Sequence, residues 1–252
     1  MDPRLAAAPQ VLRFAERLRL RLREDVEGVY VGGSLASGDY HPGTSDLDVV
    51  VLTRTTPTRR GRRRLRSLHR GLVAADPSAR PLHCAYVPRD DVADPATPHP
   101  VWASGELFDR PFSGIGRAEL LADPVVVLGP APSTWLPAMD TDAVKDAARA
   151  ELSGYWSRAV RRRRIWRQDV YVDLGLLTVA RAQATLAEGR LITKREAIER
   201  LPLVGVDRAL ADEVARRRAG ERVVLSSRAR RRRARRVRSL VATAIGELLA
   251  GR

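Results

Sequence analysis

The spacing of apolar positions changes part-way along the chain. In the first part, stretches of helical spacing alternate with short runs of β-forming residues, whereas almost everything after Thr141 follows the helical period. Helices are predicted at residues 4–25 and 59–75, and strands at residues 82–87 and 124–128. Residues 29–52 form a separate motif between the first two helices. The pattern therefore predicts an α/β domain with a small mixed sheet, followed by an all-α helical bundle.

Proline and polar residues interrupt this pattern twice before the helical part begins. Residues 90–111 are expected to form a long loop, with Trp102 exposed or half-buried. Residues 131–137 contain two prolines and directly follow Pro130, and they are expected to form a linker. The predicted domain boundary follows this linker, which gives an α/β domain at 1–138 and a helical domain at 139–252.

The second part predicts four helices. Gly189 is expected to end the second of them, and Thr193 with Glu196 forms the T-x-x-E capping box that begins the third. The four helices are expected at about 142–166, at 170–188, from Thr193 onward and from about Ser227 onward.

The motif that carries most chemical information runs from Val29 to Leu52, with a predicted order of strand, glycine turn, short helix, loop and strand. Gly32 and Gly33 allow the backbone to turn sharply and to approach a ligand without a Cβ in the way. Ser34 is expected to cap the short helix, so that a hydroxyl and free N–H groups face one small space. This arrangement is typical of a phosphate-binding site.

Two aspartates follow the same motif. In the segment Ser45-Asp46-Leu47-Asp48, the strand period of two places Asp46 and Asp48 on one side and Leu47 on the other. Two carboxylates on one strand face repel each other unless a cation lies between them. Because Mg²⁺ is usually held by one or two carboxylates together with substrate phosphates, the pair is a candidate magnesium site.

Composition limits the class of protein. The 252 residues are 44% hydrophobic, which favours a folded protein with a core, and the one cysteine excludes an internal disulfide. No apolar run approaches the length that spans a bilayer, and the N-terminus lacks the apolar core of a signal peptide. We therefore expect a soluble cytoplasmic protein with no membrane partner.

The net charge of +15 raises the question of a nucleic-acid partner. Only two of the 45 basic residues are lysines, which indicates a compositional bias towards arginine, and aromatic residues are scarce at 5%. The arginine clusters are therefore interpreted mainly as solvated helix faces, and binding of RNA or another polyanion is a less favoured alternative. The clusters lie at residues 59–64, 161–164 and 228–238.

The Gly-Gly-Ser turn followed by Ser-Asp-x-Asp resembles the signature of the polymerase-β-like nucleotidyltransferase superfamily. The run from Leu176 to Leu201 is similar to the helical domain of the aminoglycoside adenylyltransferases that act on streptomycin and spectinomycin. The resemblance implies transfer of AMP from ATP to a hydroxyl group, with Mg²⁺ as cofactor. It implies that Asp46 and Asp48 hold the metal, and that Gly33, Ser34 and Ser45 position the triphosphate.

The same resemblance extends to two basic residues of the helical part. It implies that Arg181 and Lys194 reach the ATP phosphates. Lys194 follows Thr193 at the first position of a helix, where a cation opposes the helix dipole unless an anion is bound nearby. The alternative interpretation is a surface ion pair of Lys194 with Glu188 or Glu196.

The chain departs from the family pattern at several positions. The carboxylate that serves as general base in the family is replaced by His83, so His83 is a candidate base. The acidic residue that holds the cationic drug falls near Tyr171, although Asp169 and Asp173 flank that position. Trp102, Asp169 and Asp173 are accordingly candidate contacts to the acceptor, which is possibly an aminoglycoside-like small molecule.

Two alternatives to this enzyme remain open at this point. The chain could be a nucleotide-binding sensor or regulator with impaired catalysis, because the third carboxylate is missing. It could also keep the transferase fold and use RNA or a protein as the acceptor. Turnover of ATP with Mg²⁺ separates the enzyme from the sensor, and a steep dependence of binding on salt identifies a polyanion partner.

Overall fold

The computed structural model describes residues 2–22 and 25–251, so the last positions of the helix predicted at 4–25 lie partly outside the described residues. The chain divides into two compact units, residues 1–138 and residues 139–252. The first is an α/β unit and the second is helical, which confirms the predicted fold class.

The α/β unit is built on one mixed sheet. A 3-10 helix at Pro3–Ala7 precedes the first α-helix, and further 3-10 turns lie at Pro77–Ala79, Arg89–Asp91 and Pro132–Thr134. The strands are β1 (Val26–Val31), β2 (Leu47–Thr53), β3 (Leu82–Pro88), β4 (Pro98–Ala103), β5 (Glu106–Pro111) and β6 (Val125–Leu128). The α-helices are α1 (Pro9–Arg21), α2 (Gly33–Ala36), α3 (Arg59–Ala75) and α4 (Gly114–Ala122).

The order of strands in the described sheet is β5-β4-β3-β2-β1-β6. Strands β2 and β3 run parallel, with α3 in the connection between them, and the other neighbouring pairs are antiparallel. The parallel register places Asp48 beside His83. The sheet therefore aligns the start of β2 with the start of β3.

Both faces of the sheet are covered, so its central strands are apolar on both sides. One face packs Val29, Val31 and Val49 under helices α1 and α3. The other face packs Tyr30 and Leu52 with the chain that follows β6. Successive residues of a strand point to opposite faces, which explains why the run from Val49 to Leu52 is uniformly apolar.

Two predictions for the α/β unit are wrong. Residues 98–111 form the β4–β5 hairpin and not a loop, and Trp102 is buried, with only 3% of its surface exposed. The Trp102 ring stacks on His69, with the ring centroids 4.6 Å apart. Such a buried ring offers almost no surface to an acceptor, so its assignment as a substrate contact is also wrong.

The expected linker at residues 131–137 is wrong as well. Trp135 and Leu136 are buried and pack into the core beside Tyr30, with the Tyr30 and Trp135 ring centroids 5.3 Å apart. The two prolines of this segment do not keep it out of the core, because burial of the large apolar side chains of Trp135 and Leu136 is favourable.

The helical unit contains the two longest helices described, Asp169–Glu188 and Ser227–Leu249. No helix in the described part of the chain is long and apolar enough to cross a membrane. A π-helical segment (Leu152–Trp156) lies between the first two helices, and 3-10 turns lie at Ile165–Arg167 and Leu201–Val204. The α-helices are α5 (Thr141–Glu151), α6 (Ser157–Ala159), α7 (Asp169–Glu188), α8 (Lys194–Arg200), α9 (Arg208–Arg218) and α10 (Ser227–Leu249).

The predicted helix at 170–188 is confirmed, and Gly189 ends it with a left-handed φ of 71°. The predicted helix at 142–166 is wrong in its second half, because the chain leaves the helix after Ala159 and turns at Arg161–Arg164. Helix α9 was not predicted. Its apolar residues are few and widely spaced, so its sequence reads as a charged segment.

Candidate functional site

The glycine turn at the end of β1 is held against the start of β2. The Gly32 N–H donates to the Asp48 carbonyl oxygen at 2.9 Å, and Gly33 has a left-handed φ of 60°. A Cβ built on Gly33 would overlap the Asp48 carboxylate. Glycine is therefore needed at position 33 both for the backbone conformation and for the close approach of Asp48.

Ser34 lies inside helix α2 and does not cap it. The cap position is Gly32, which has no side chain to accept a hydrogen bond, so the prediction that Ser34 caps this helix is wrong. The Ser34 carbonyl oxygen accepts from the Asp39 N–H at 2.9 Å. Its half-buried hydroxyl makes no hydrogen bond within the described residues, which leaves it able to bind a ligand.

The two aspartates of the motif lie on the outside of the sheet. Asp46 and Asp48 are exposed on either side of Leu47, which is completely buried, as the strand period predicts. The Asp46 side chain is 51% exposed. Both carboxylates can therefore meet a ligand without any rearrangement of the core.

Ser45 has a different position from the one implied by the family resemblance. It is buried, and its Oγ accepts a hydrogen bond from the His41 N–H at 3.0 Å. A hydroxyl enclosed in this way supports the loop before Asp46 and does not contact a triphosphate. The prediction of a direct phosphate contact for Ser45 is therefore wrong.

A buried acidic residue in the same loop was missed by the sequence reasoning. Asp39 is 2% exposed, and its Oδ1 lies 3.3 Å from His41 Nε2. Its backbone N–H is bonded to Ser34 as described above. Asp39 and His41 thus fix the loop that joins the glycine turn to Asp46, and the unusual burial of a carboxylate there could not be read from the sequence.

His83 lies beside the aspartates. Its strand neighbours Leu82 and Cys84 are buried, whereas the His83 side chain is 25% exposed and points the other way. His83 Nε2 is 3.9 Å from Asp46 Oδ1, and the β2–β3 register sets His83 beside Asp48. The structure therefore brings Asp46, Asp48 and His83 to one end of two parallel strands.

The donor set at this place fits a hard divalent cation that is also held by a substrate. No group of three or more His, Cys, Asp and Glu residues in the described chain is arranged to hold a metal ion by itself. Two exposed carboxylates beside a glycine turn instead suit Mg²⁺ bound through Asp46, Asp48 and phosphate oxygens. The close packing of Asp48 on Gly33 keeps this carboxylate at the edge of the space where a phosphate would lie.

The two basic candidates of the helical unit lie near each other in that unit. The Thr193 N–H donates to Glu196 Oε2 at 2.7 Å and the Glu196 N–H donates to Thr193 Oγ1 at 3.1 Å, which confirms the capping box. Lys194 is the first residue of α8. Arg181 Nε donates to the Ile192 carbonyl oxygen at 2.9 Å, so Arg181 is tied to the segment that leads into α8.

Asp169 and Asp173 are both engaged by arginines. Arg217 Nε donates to Asp173 Oδ2 at 2.8 Å, and Arg233 pairs with Asp169. Both arginines also pair with Glu213, and their side chains are 9% and 6% exposed. Burial raises the pKa of Asp173, and the Arg217 guanidinium opposes that rise.

This network changes the interpretation of the two aspartates. A carboxylate that is already neutralised by a buried guanidinium attracts a cationic acceptor weakly, because the new ion pair must replace an existing one. Contact of Asp169 and Asp173 with the acceptor stays a prediction, and a cationic acceptor would compete there with Arg217 and Arg233. Neither the arginine at 217 nor the one at 233 could be matched to these aspartates from the sequence.

The part of the chain that carries the aspartates and His83 is similar to a known domain family. Residues 12–93 match the family model of the nucleotidyltransferase domain. This range includes the glycine turn, both exposed aspartates and His83. The α/β unit is thus similar to nucleotidyltransferase domains over about a third of the whole chain.

A particular relative shares the whole fold. Spectinomycin adenyltransferase AAD(9) from Enterococcus faecialis, solved with ATP and spectinomycin, is similar with a TM-score of 0.72 over 92% of this chain and 98% of that one. The sequence identity is 15%. No curated protein sequence matches the chain at a significant level. The chain thus resembles the aminoglycoside adenylyltransferases in fold.

Proposed function

We propose that this protein transfers AMP from Mg-ATP to a hydroxyl group of a small-molecule acceptor. The observation that carries the proposal is the convergence of the Gly33 turn, Asp46, Asp48 and His83 at one end of strands β2 and β3. These residues lie inside the matched nucleotidyltransferase domain. The family match supports transfer of a nucleotide, and the choice of ATP and Mg²⁺ is our proposal.

Asp46 and Asp48 would hold the metal, and the turn at Gly33 and Ser34 would bind the phosphates. Bound Mg²⁺ would supply positive charge that stabilises the phosphates during transfer. The Gly33 backbone approaches the ligand because no Cβ intervenes, and the Ser34 hydroxyl can donate to a phosphate oxygen. Arg181 and Lys194 are proposed to bind the nucleotide phosphates as well, as the family resemblance implies.

His83 is the proposed general base. Its imidazole would accept the proton of the acceptor hydroxyl while the new bond forms between that oxygen and the α-phosphorus. The bond from the α-phosphorus to the bridging oxygen breaks at the same time, and pyrophosphate leaves. The position of His83 Nε2 near Asp46 Oδ1 supports this role, because the proton acceptor lies beside the proposed metal-binding carboxylate.

The acceptor is proposed to carry little positive charge. Asp169 and Asp173, the carboxylates nearest to the family's drug-binding position, are paired with Arg217 and Arg233. A tricationic aminoglycoside such as streptomycin would also meet a protein of net charge +15. We therefore expect poor transfer to streptomycin and better transfer to neutral polyhydroxylated compounds.

The test is the affinity for Mg-ATP of Asp46→Asn and Asp48→Asn. Each change keeps the side-chain shape but removes one negative charge, so the affinity measured by calorimetry should fall at least tenfold, about 1.4 kcal/mol. Asp90→Asn is the control, since Asp90 is an exposed carboxylate of the same unit outside the site. Wild-type affinity in both site variants would refute the proposal.

A second candidate function is favoured by the histidine at position 83. A nucleotidyltransferase domain without the third carboxylate could bind ATP and act as a sensor. In that case the wild-type protein would bind Mg-ATP with an affinity that depends on Asp46 and Asp48, yet would release no pyrophosphate with any hydroxylated acceptor. Measuring pyrophosphate release beside the calorimetry separates the two functions.

A further inference from the structure

The positive charge of the protein is concentrated in one unit. Residues 139–252 contain 27 basic and 14 acidic residues, a net charge of +13, whereas residues 1–138 contain 18 and 16, a net charge of +2. A compositional bias replaces lysine by arginine throughout a protein, but it does not place nearly all of the excess charge in one half. The asymmetry indicates a polyanionic partner for the helical unit.

The first part of the charged surface is the turn between α6 and the 3-10 helix Ile165–Arg167. Its four consecutive arginines, Arg161–Arg164, are all exposed. None of the four forms an ion pair with a carboxylate among the described residues, in contrast to the buried and paired Arg217 and Arg233. Their charge is therefore presented to solvent.

Helix α10 continues this surface. Arg238 Nη1 donates to the Val160 carbonyl oxygen at 3.2 Å, which ties α10 to the start of the arginine turn. Arg231 and Arg235 precede Arg238 by seven and three residues, so they lie on the same side of the helix. Both are exposed and make no ion pair within the described chain. We name the set Arg161–Arg164, Arg231, Arg235 and Arg238 the arginine face.

An aromatic side chain stands next to the arginine face. Tyr155 belongs to the π-helical segment and is 45% exposed, and its ring packs edge-on against Trp156 with the centroids 5.3 Å apart. Burial and the hydroxyl of Tyr171 raise the pKa of Tyr155, whereas the nearby charge of Arg162 lowers it. Insertions of this kind in α-helices are frequent at functional sites.

We propose that the arginine face and Tyr155 together bind single-stranded nucleic acid. The guanidinium groups would contact the phosphodiester backbone, and the Tyr155 ring would stack on an unpaired base. This combination of arginines with an exposed aromatic ring is what single-stranded nucleic acids require, and a duplex has no free base for the ring. The surface lies entirely in the helical unit and involves none of the residues assigned to nucleotidyl transfer.

A lipid surface fits these residues less well. Membrane-binding helices insert an apolar face beside their basic residues. The apolar face of α10, which includes Val237 and Val241, is instead completely buried within the helical unit. Around the arginine face the exposed side of the helix therefore presents charge, and the exposed Leu249 lies at the far end of the helix.

The experiment measures fluorescence anisotropy of a labelled 20-nucleotide single-stranded RNA with the full-length protein between 50 and 200 mM salt. The test variant changes Arg161–Arg164 to glutamine. The control variant changes Arg59, Arg60, Arg63 and Arg64 of α3 to glutamine, because these four are also exposed and unpaired among the described residues. Each variant loses four positive charges. Thermal unfolding and the affinity for Mg-ATP, measured separately, verify that each variant is folded.

The test variant should bind at least tenfold more weakly at 100 mM salt, and the slope of log affinity against log salt should fall by roughly two to three. The control variant should stay within about threefold of wild type. Tyr155→Ala should lose at least fivefold while Tyr155→Phe retains binding, since the ring and not the hydroxyl stacks. A duplex of the same length should bind without any effect of Tyr155→Ala.

Three results would overturn the proposal. An equal loss in the two fourfold variants would show that only overall charge matters. Absence of RNA binding by the wild type at 50 mM salt would exclude this partner. Anionic phosphatidylserine vesicles that displace the RNA and require Arg161–Arg164 equally would identify a membrane surface instead.

Discussion

Two pairs of aspartates in this protein show how differently the same residue type is used in its two units. Asp46 and Asp48 stand exposed at the start of β2, where the sheet beneath them is apolar and His83 is the neighbouring titratable group. Asp169 and Asp173 lie in the first turns of α7 and pair with the buried guanidinium groups of Arg233 and Arg217. The first pair lies exposed at a strand start, and the second pair forms ion pairs that connect α7 to α9 and α10.

The comparison shows that an acidic residue near a ligand-binding position becomes a site only when the surrounding fold does not already neutralise it. The β2–β3 register places an imidazole, His83, and no guanidinium beside Asp48. In contrast, helices α9 and α10 each bring an arginine to α7.

Arg217→Met should destabilise the protein by about 3 kcal/mol, because it removes the guanidinium that pairs with the half-buried Asp173 and leaves Glu213 with Arg233 alone. The measurement is urea unfolding followed by circular dichroism. Arg232→Met is the control, since Arg232 is an exposed residue of α10 without an ion pair in the described chain, and its effect should stay within about 0.5 kcal/mol. Equal stabilities of the two variants would mean that the α7 network is not structural.

His83→Ala should reduce AMP transfer at least a hundredfold, about 2.7 kcal/mol, while the stability and the affinity for Mg-ATP change little. His83→Glu should retain transfer, because a carboxylate at this position can also accept the hydroxyl proton. The assay is pyrophosphate release with a panel of hydroxylated acceptors. Unaltered turnover in His83→Ala would remove His83 from the site.

A second histidine in the same unit provides a contrast through its pH dependence. His69 is buried, its Nε2 lies 2.7 Å from the Tyr86 hydroxyl, and burial lowers its pKa to about 3 from the ordinary 6.5. The unfolded chain binds a proton near pH 6.5 while the folded protein does not. This pKa difference makes its full contribution to the free energy of unfolding above pH 6.5. The contribution is lost as the pH falls from 6.5 towards 3.

The free energy of unfolding should therefore fall by about 2 kcal/mol between pH 6.5 and pH 5, at close to 1.4 kcal/mol per pH unit. His69→Gln should show a shallower slope over this window, whatever its absolute stability. His99, whose pKa is also lowered by burial, contributes in the same direction in both proteins, so the difference between them belongs to His69. Parallel slopes would show that His69 takes up a proton while the protein is folded.

Gly33→Ala should weaken Mg-ATP binding about tenfold, because the added methyl group displaces the Asp48 carboxylate. Gly43→Ala is a matched control. Gly43 also has a positive φ, of 80°, but a Cβ there meets nothing within 4 Å. Both variants carry the backbone strain of about 1–2 kcal/mol, and only Gly33→Ala should lose affinity. Equal losses of affinity would attribute the effect to strain alone.

The parts of the fold that were predictable from sequence are those whose signals are local. The bounds of α3, the end of α7 at Gly189 and the capping box at Thr193 each depend on residues within one or two turns of each other. The placement of Asp46 and Asp48 outside the core follows in the same way from the strand period. These features need no knowledge of what packs against them.

The β4–β5 hairpin was hidden by its prolines. Pro98 and Pro100 lie beyond the part of β4 that pairs with β3, which is limited to Val101 and Trp102. A proline is tolerated there because no ladder hydrogen bond to β3 is required from it. The two-residue turn at Ser104 and Gly105, both with positive φ, was the available signal for this hairpin.

In the candidate site, the partners of Asp169, Asp173 and Ser45 were the least predictable. Arg217 is 44 residues from Asp173, and Arg233 is 64 residues from Asp169. In a chain with 45 basic residues, no pattern indicates which of them meets a given carboxylate. Tertiary packing alone decides whether these carboxylates bind a ligand or an arginine.

The pairing of β2 with β3 has a consequence for how this site can evolve. Leu82 and Cys84 anchor the strand in the core, while the side chain between them projects away from it. Position 83 can therefore change its identity without altering the core, and the proposed proton-accepting group could differ between proteins that share this pair of strands. Within β3, residues 82 and 84 therefore determine the packing of the strand, whereas residue 83 determines the chemical group that the strand presents at the site.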